Sequence, residues 1–326
     1  LPRAAGGEIA MDPLAFVTDP VMQGFLQATT RLAIPIMLAA LGGMFAERAG
    51  VLNIALEGMM LAGAFTGFAT AYASGSLWLG VALGMSAGAV IGLVLAFYTV
   101  KLTSNQVVVG IAINLMMIGA TSYAFRAIFG PGTDAPRVTP FPPVNIPILA
   151  DIPILGPLFF QQGVLVYAAF VLIPLSWIVM SRMSAGMAIT AVGEHPEAAE
   201  TLGISVARVR TLCLVASGLI AGLGGAFLSL SATGLFLDNM TAGRGYIALA
   251  ILLLGRRNPW GIAAAAALFG GADAFQLRGQ GFGSGIPYQF LVMLPYILTI
   301  VVLIGFAGKG RDPAALGRPF QRNRAE

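Results

Sequence analysis

The chain has little of what soluble catalysts are built from. Among 326 residues there is one cysteine and one histidine. Cys213 stands in an apolar run with no second thiol for a disulfide and no metal cluster around it, so it reads as a packing thiol. One His, one Cys and no clustered carboxylates leave little from which to build an intramembrane catalytic centre, and no metal site is expected. No G-x-x-x-x-G-K-S/T loop is present. The nearest string, GFAGKGRD at 305–312, has the wrong spacing and ends in Gly-Arg-Asp, so the chain does not cradle ATP in the usual way. Charge is also scarce, at 10% of residues against about 25% in ordinary soluble domains.

What is abundant is hydrocarbon, with 57% of residues hydrophobic. Several apolar runs reach the ~20 residues that span a bilayer. The fold class that follows is all-α, a polytopic membrane helical bundle of about 8–10 transmembrane helices, some short or broken. Residues 1–10 lack a start methionine and an apolar core, whereas Met11 opens a more native-looking start; no cleavable signal peptide is expected. Three regions are expected: an N-terminal segment 1–30 with an interfacial helix at 14–30, a transmembrane domain 31–308, and a tail 309–326. Spans are expected at 31–46, 51–72, 77–98, 106–129, 164–182, 209–232, 244–256, 260–277 and 286–307. The eight prolines between Pro131 and Pro157 cannot share one helix, so 130–163 is an irregular loop outside the membrane.

The pI near 9.5 does not signal nucleic acid, because the basic residues sit at loop ends. With the C-terminus placed in the cytoplasm, alternation puts Arg48, Lys101, Arg182, Arg208, Arg210, Arg256, Arg257, Lys309, Arg311, Arg318, Arg322 and Arg324 inside. Arg3, Arg31, Arg126, Arg137, Arg244 and Arg278 fall outside. Positive residues favour the inner side, so this orientation is preferred.

Two stretches carry polar residues where apolar ones are the rule. Residues 46–65, AERAGVLNIALEGMMLAGAF, open on Glu47 and Arg48 and then bury Asn53 and Glu57 in a span. Ionisable groups at that depth face a bundle interior or a water-filled path, or else tie helices together through hydrogen bonds. Nearby, Gly80, Gly84, Gly88 and Gly92 recur every fourth residue. They therefore share one helix face and permit close backbone approach. EGMMLAGAF (57–65) and SGLIAGLGGAF (217–227) hint at an internal repeat.

The second stretch, AVGEHPEAAETLGISVARVR (191–210), encodes a short helix between two spans. Pro196 suits a first helical position and Glu197 the positive end of the dipole. Gly203 suits a left-handed stop, and Ser205 can cap the next helix. Glu197 and Glu200 are expected to share a face that Ala198 and Ala199 leave partly smooth. Locally, a docking element for a soluble partner and an ordinary solvated loop both fit.

Four motifs then resemble one family. LGGMFAERAGVLNIALEGMMLAGAF (41–65) looks like the signature of inner-membrane permease subunits of nucleoside-type ABC importers, within the branched-chain amino acid and simple-sugar permeases. Residues 191–210 resemble that family's coupling-helix region, with His195 where Asn is common. GRGYIALAILLLGRRNPWG (243–261) resembles its GxGYxxIAxxxLGxxNPxG pattern. PAALGRPFQ (313–321) resembles its closing LGxPY segment, with Phe320 where Tyr is common. The resemblance runs from about residue 30 to residue 321.

The resemblance implies a multi-pass permease subunit of the bacterial inner membrane, forming half of a pathway for nucleosides or a related small polar solute such as a sugar or riboflavin. It implies no enzymatic activity and no cofactor on this chain, with ATP and Mg on a partner ATPase. The other implied partners are a second, related permease, an external substrate-binding lipoprotein or periplasmic protein, and membrane lipid. Glu194, His195, Pro196, Glu197, Ala198, Ala199, Glu200 and Gly203 would form the coupling helix at 194–203. Asn53, Glu57, Asn114 and Tyr246 would lie along the pathway. The alternative is a secondary transporter or channel that uses Glu57 or Asp273 for ion coupling.

Overall fold

A computed structural model describes residues 20–130, 136–145, 147, 152, 156–279, 288–306 and 312–320. They form a helical bundle. Its helices are α1 Pro20–Arg48, α2 Leu56–Ser74, α3 Leu77–Ala96, α4 Gln106–Phe129 and α5 Val164–Arg182. Two short helices, α6 Ser184–Glu194 and α7 Pro196–Thr201, precede α8 Val206–Phe227. Then come α9 Arg244–Leu254, α10 Pro259–Gly279 and α11 Tyr288–Phe306. The backbone of α3 and α8 runs on into π turns at Phe97–Lys101 and Leu228–Thr233.

Five of the described helices are long and apolar enough to cross a membrane: α1, α4, α5, and α3 and α8 with their π turns. Their outward faces are apolar as well. On α4, Val108, Ile111 and Leu115 are exposed at helical spacing while Asn114 is buried. A helix that is apolar outside and polar inside is arranged for lipid.

The expected division between an interfacial helix at 14–30 and a span at 31–46 is not what forms. Residues 14–19 lie outside the described residues, and from Pro20 onward α1 is one helix. Thr29, Thr30 and Arg31 look like a polar break in sequence. In the helix, however, the Thr29 and Thr30 hydroxyls donate back to the carbonyls of Phe25 and Leu26, at 2.9 and 3.3 Å. Satisfied in this way, they need no water and no break.

The centre of the bundle is a glycine-lined stack of α2, α3 and α8, with α1 against α8 and α10. A Cβ on Gly84 would lie 2.7 Å from the Gly63 carbonyl oxygen, and one on Gly80 would lie 2.6 Å from that of Gly67. Gly88 and Gly92 abut the backbone of Gly218 and Leu214 in the same way. The four-residue glycine period therefore serves backbone-to-backbone packing. The two look-alike segments 57–65 and 217–227 are spatial neighbours, since Gly63 meets Gly222 and Gly225 meets Met60.

The Pro-rich loop is irregular over most of its described residues but contains a small antiparallel pair, β1 Pro143–Asn145 with β2 Gln161–Gly163. It folds back over the end of α8, where Val138 N–H donates to the Gly234 carbonyl and Phe141 N–H to that of Leu230. Between α1 and α2, residues 49–55 form a turn and a short non-helical stretch. The span expected from residue 51 therefore begins at Leu56.

Candidate functional site

Ala49, Gly50 and Val51 N–H groups bond back to carbonyls of α1, but residues 52–55 enter the bundle past that turn and need other partners. Polar side chains supply them. Gln106 accepts from Leu52 N–H at 2.7 Å, and Asn114 Nδ2 donates to the Ile54 carbonyl at 2.9 Å. Asn53 is fully buried. Its Oδ1 accepts from Ala55 N–H at 3.0 Å, and its Nδ2 donates to Ser217 Oγ on α8 at 2.8 Å. This local turn restarts the chain as α2.

Glu57 follows on the first turn of α2 and is 2% exposed. Its Oε1 accepts from Thr241 Oγ1 at 2.6 Å and from Gly243 N–H at 2.8 Å, and its Oε2 accepts from Gly245 N–H at 2.6 Å. These donors form the opening of α9. The carboxylate therefore sits on the positive end of a helix dipole, with the otherwise unpaired first amides of that helix pointing at it. No cation is needed to hold the charge there.

Helix α9 is a half-span. Its 11 residues extend about 16 Å at ~1.5 Å each, against a hydrocarbon thickness near 30 Å. Its far end turns back at Gly255–Asn258, beside the end of α1, so its opening lies about 16 Å inward from that end of the bundle. Gly243 adopts φ +84°, a left-handed conformation that glycine tolerates. A Cβ on Gly245 would lie 2.5 Å from Glu57 Cα, so glycine there lets the carboxylate reach the amides.

Asn114 joins this cluster. Its Oδ1 accepts from Gly58 N–H at 2.8 Å, and its Nδ2 also donates to the Tyr246 hydroxyl at 2.9 Å. The structure thus brings Glu57, Asn114 and Tyr246 together at the opening of α9, while Asn53 lies to the side against α8. Tyr246 is 46% exposed; the other three are buried. Asp273, the other carboxylate considered for ion coupling, lies elsewhere. With Arg244 it lines a cavity of about 220 Å³ walled by Leu32, Gln276 and Pro295.

The second cluster lies at the end of the bundle where α1 and α9 terminate. Helix α7 starts at Pro196 and stops at Gly203, whose φ is +84°. His195, Glu197, Ala198, Thr201, Leu202 and Gly203 are exposed. Leu202, 81% exposed, is an apolar knob at the end of the helix that sequence reasoning passed over. Three expectations need correction. Ala199 does not smooth an outer face; it is 2% exposed and packs inward against Val192 and Val206. Glu200 does not share the outer face of Glu197, because its carboxylate accepts from Val206 N–H at 2.9 Å and so caps α8. Ser205, expected to cap that helix, makes no side-chain cap bond. Glu194 turns toward the tail, where Ala314 N–H donates to its carboxylate at 3.4 Å.

Beneath α7 lies an ionic layer that sequence reasoning missed. Arg257 Nε donates to Glu47 at 2.6 Å, with both side chains under 10% exposed, and its Nη1 pairs with Asp312 at 2.8 Å. Arg48 donates twice to the Arg257 carbonyl, at 3.1 and 2.9 Å. Arg210, 3% exposed, donates to the carbonyls of Ala49 and Arg318. The motif that carries Glu47-Arg48 and the string GRRNP thus meet in space. The only hint in sequence was that both strings are charged inside otherwise apolar surroundings.

The family described as branched-chain amino acid transport system, permease component, matches residues 25–305. The chain belongs to that family. The guanosine ABC transporter permease protein NupQ of Bacillus subtilis is 37% identical to this permease over 311 residues, covering 92% of this chain and 97% of NupQ. The nucleoside ABC transporter permease protein NupC of Lactococcus lactis is 34% identical, covering 87% and 92%. The putative glucose ABC transporter permease protein TsgC13 of Haloferax volcanii is 36% identical, covering 86% and 90%. A second guanosine permease protein of Bacillus subtilis, NupP, also matches at 26%. This permease is therefore a multi-pass membrane subunit of an ABC transporter, not the subunit that hydrolyses ATP.

Proposed function

We propose that this permease forms half of the pathway of a bacterial inner-membrane ABC importer for nucleosides or a related small polar solute, driven by ATP and Mg on a separate ATPase. Two nucleoside permeases more than a third identical to it over nearly their whole length support nucleosides, and a putative glucose permease at 36% supports a sugar as the related small polar solute. The occurrence of NupP beside NupQ in one organism supports a second, related permease as the other half. An external binding protein would deliver the solute and provide most of the affinity. The end of the bundle that carries α7 and the tail would face the cytoplasm, where Arg48, Arg210, Arg257 and Arg318 gather.

The single observation that carries ATP coupling is α7. It is a short, punctuated helix held between two membrane spans, with Glu197, Ala198 and Leu202 presented outward. A bare loop would absorb a push from a soluble partner, whereas a packed helix passes it on. In the pathway itself, Tyr246 offers an aromatic face for a nucleobase, and Glu57 and Asn114 hold the half-helix that carries it. With all three of its donors supplied by protein, Glu57 is ill placed to exchange ions, which disfavours the secondary-carrier reading.

The test is crosslinking in the assembled transporter. The one native cysteine, Cys213, is buried and gives little background. Glu197→Cys should crosslink to a cysteine in the groove of the ATPase, and Ala198→Arg should abolish uptake without loss of the folded chain. Crosslinks that form only from the 130–163 loop would invert the orientation and refute the assignment.

A further inference from the structure

We propose that residues 312–320 act as a strut that fixes α7 to the bundle, and that Arg210, Asp312 and Phe320 are positioning residues for energy coupling. The proposal rests on reading α7 as the ATPase contact and adds a load path behind it.

Helix α7 has six residues, far short of the length at which a helix is stable on its own. Its position therefore depends on what grips it. One grip is internal: Ala199 packs inward, and Glu200 caps α8. On another side α6 abuts the end of α1, where a Cβ on Gly193 would overlap the Arg48 carbonyl. The remaining grip is the tail. Ala315 N–H donates to the Gly193 carbonyl at 2.9 Å, and Gly317 N–H donates to that of Gly50 at 3.2 Å. Phe320 closes over the cluster of Val192, Ala199 and Val206. The tail thus spans from the root of α7 to the turn after α1.

Its own ends are fastened by charge. Asp312 pairs with Arg257, which is paired in turn with buried Glu47 on α1. Near the other end, Arg210 holds the Arg318 carbonyl with Nη1 at 3.0 Å and the Ala49 carbonyl with Nε at 3.1 Å. One guanidinium therefore links α8, the turn after α1 and the tail. The two carbonyls are held by two different nitrogens of one rigid plane, a spacing that the single ammonium nitrogen of lysine does not reproduce. A cleft of about 480 Å³ separates α7 from the tail, lined by His195, Glu197, Arg210, Arg318 and Phe320. The strut therefore meets α7 at its base, and Glu197 and Ala198 border the open cleft between them, where they remain exposed.

A push on Glu197 and Ala198 would then reach α1 and α8 through two routes, Gly193 to Ala315 and Phe320 to Arg318 to Arg210. Without the tail, α7 would tilt locally and ATP would be spent without moving the spans.

The experiment uses the whole transporter, with ATPase and binding protein, in proteoliposomes. Uptake and ATP hydrolysis are measured on the same vesicles for Phe320→Ala, Asp312→Asn and Arg210→Lys, with Phe320→Tyr as the conservative control. Each variant also carries Glu197→Cys, so that docking is read by crosslinking. The strut predicts intact crosslinking, continued hydrolysis and uptake per ATP lowered about tenfold, the scale on which a single side chain modulates coupling through a packed network. Phe320→Tyr should retain the wild-type ratio. Uptake and hydrolysis that fall in parallel, or an unchanged ratio with crosslinking intact, would overturn the strut. Failure of Glu197→Cys alone to crosslink would instead overturn the α7 reading. Because Arg210→Lys keeps a buried charge but moves it off its carbonyl partners, Phe320→Ala at the rim decides the matter if the arginine variant does not fold.

Discussion

Glu47 and Glu57 lie ten residues apart in one motif, both are 2% exposed, and both reach the segment 241–257. They are held by opposite means. Glu47 meets a guanidinium at the end of the bundle, where Arg257 also touches the exposed Asp312. Glu57, one short helix further into the bundle, meets two peptide N–H groups and a hydroxyl at the opening of α9. A salt bridge desolvates two charges, whereas helix amides stabilise one charge with donors that would otherwise be unpaired. The deeper carboxylate thus uses the arrangement that buries less charge. The shallower one uses the arrangement that can link three chain segments.

That contrast makes graded predictions. The largest effect should follow Glu47→Ala, which leaves the Arg257 guanidinium buried without its closest partner. A loss of about 3–5 kcal/mol is expected, read as a fall in thermal stability in detergent. Joint replacement Glu47→Leu with Arg257→Met should recover most of it, because no lone charge remains. Next is Glu57→Leu, which orphans Thr241, Gly243 N–H and Gly245 N–H; about 3 kcal/mol is expected, at 1–3 per unsatisfied donor with partial relaxation. Glu57→Gln keeps an acceptor and should lose only about 1 kcal/mol. Equal, negligible losses in both Glu57 variants would erase the contrast.

Gly245→Ala falls between the two Glu57 variants. Its Cβ would press on Glu57 Cα, and about 1–3 kcal/mol is expected from the forced shift. The smallest change in stability should be Tyr246→Phe, near 1 kcal/mol, because Asn114 Nδ2 still donates to the Ile54 carbonyl. Tyr246→Ala should in addition slow uptake while leaving the affinity of the binding protein unchanged. If uptake is also unchanged, Tyr246 is not a wall of the pathway.

The parts legible in sequence were those written locally. Pro196 and Gly203 bracket α7 because proline fixes its own φ and glycine tolerates the left-handed stop, and the glycine period of α3 marks a face without reference to its neighbours. The bounds of α5 fall at 164–182 as expected, since Gly163 and the polar stretch after Arg182 punctuate it. What escaped was written across distance. Arg257 finds Glu47 from 210 residues away, and nothing near either residue announces the other. Arg210 serves Ala49 and Arg318 in the same hidden way. The break expected near Arg31 failed for the opposite reason, because hydropathy does not show two threonine hydroxyls satisfied within their own helix. Ala199 and Glu200 were turned to the wrong side because six residues make too few turns to reveal an apolar face.

ATP-driven nucleoside import through this permease is tested most directly by uptake of radiolabelled guanosine into proteoliposomes. The vesicles contain the permease, its companion permease, the ATPase and the binding protein. Uptake should require ATP inside the compartment equivalent to the cytoplasm, and it should disappear with a hydrolysis-dead ATPase or with Ala198→Arg. Uptake by this chain alone under an ion gradient, unaffected by ATP or by Ala198→Arg, would contradict that mechanism.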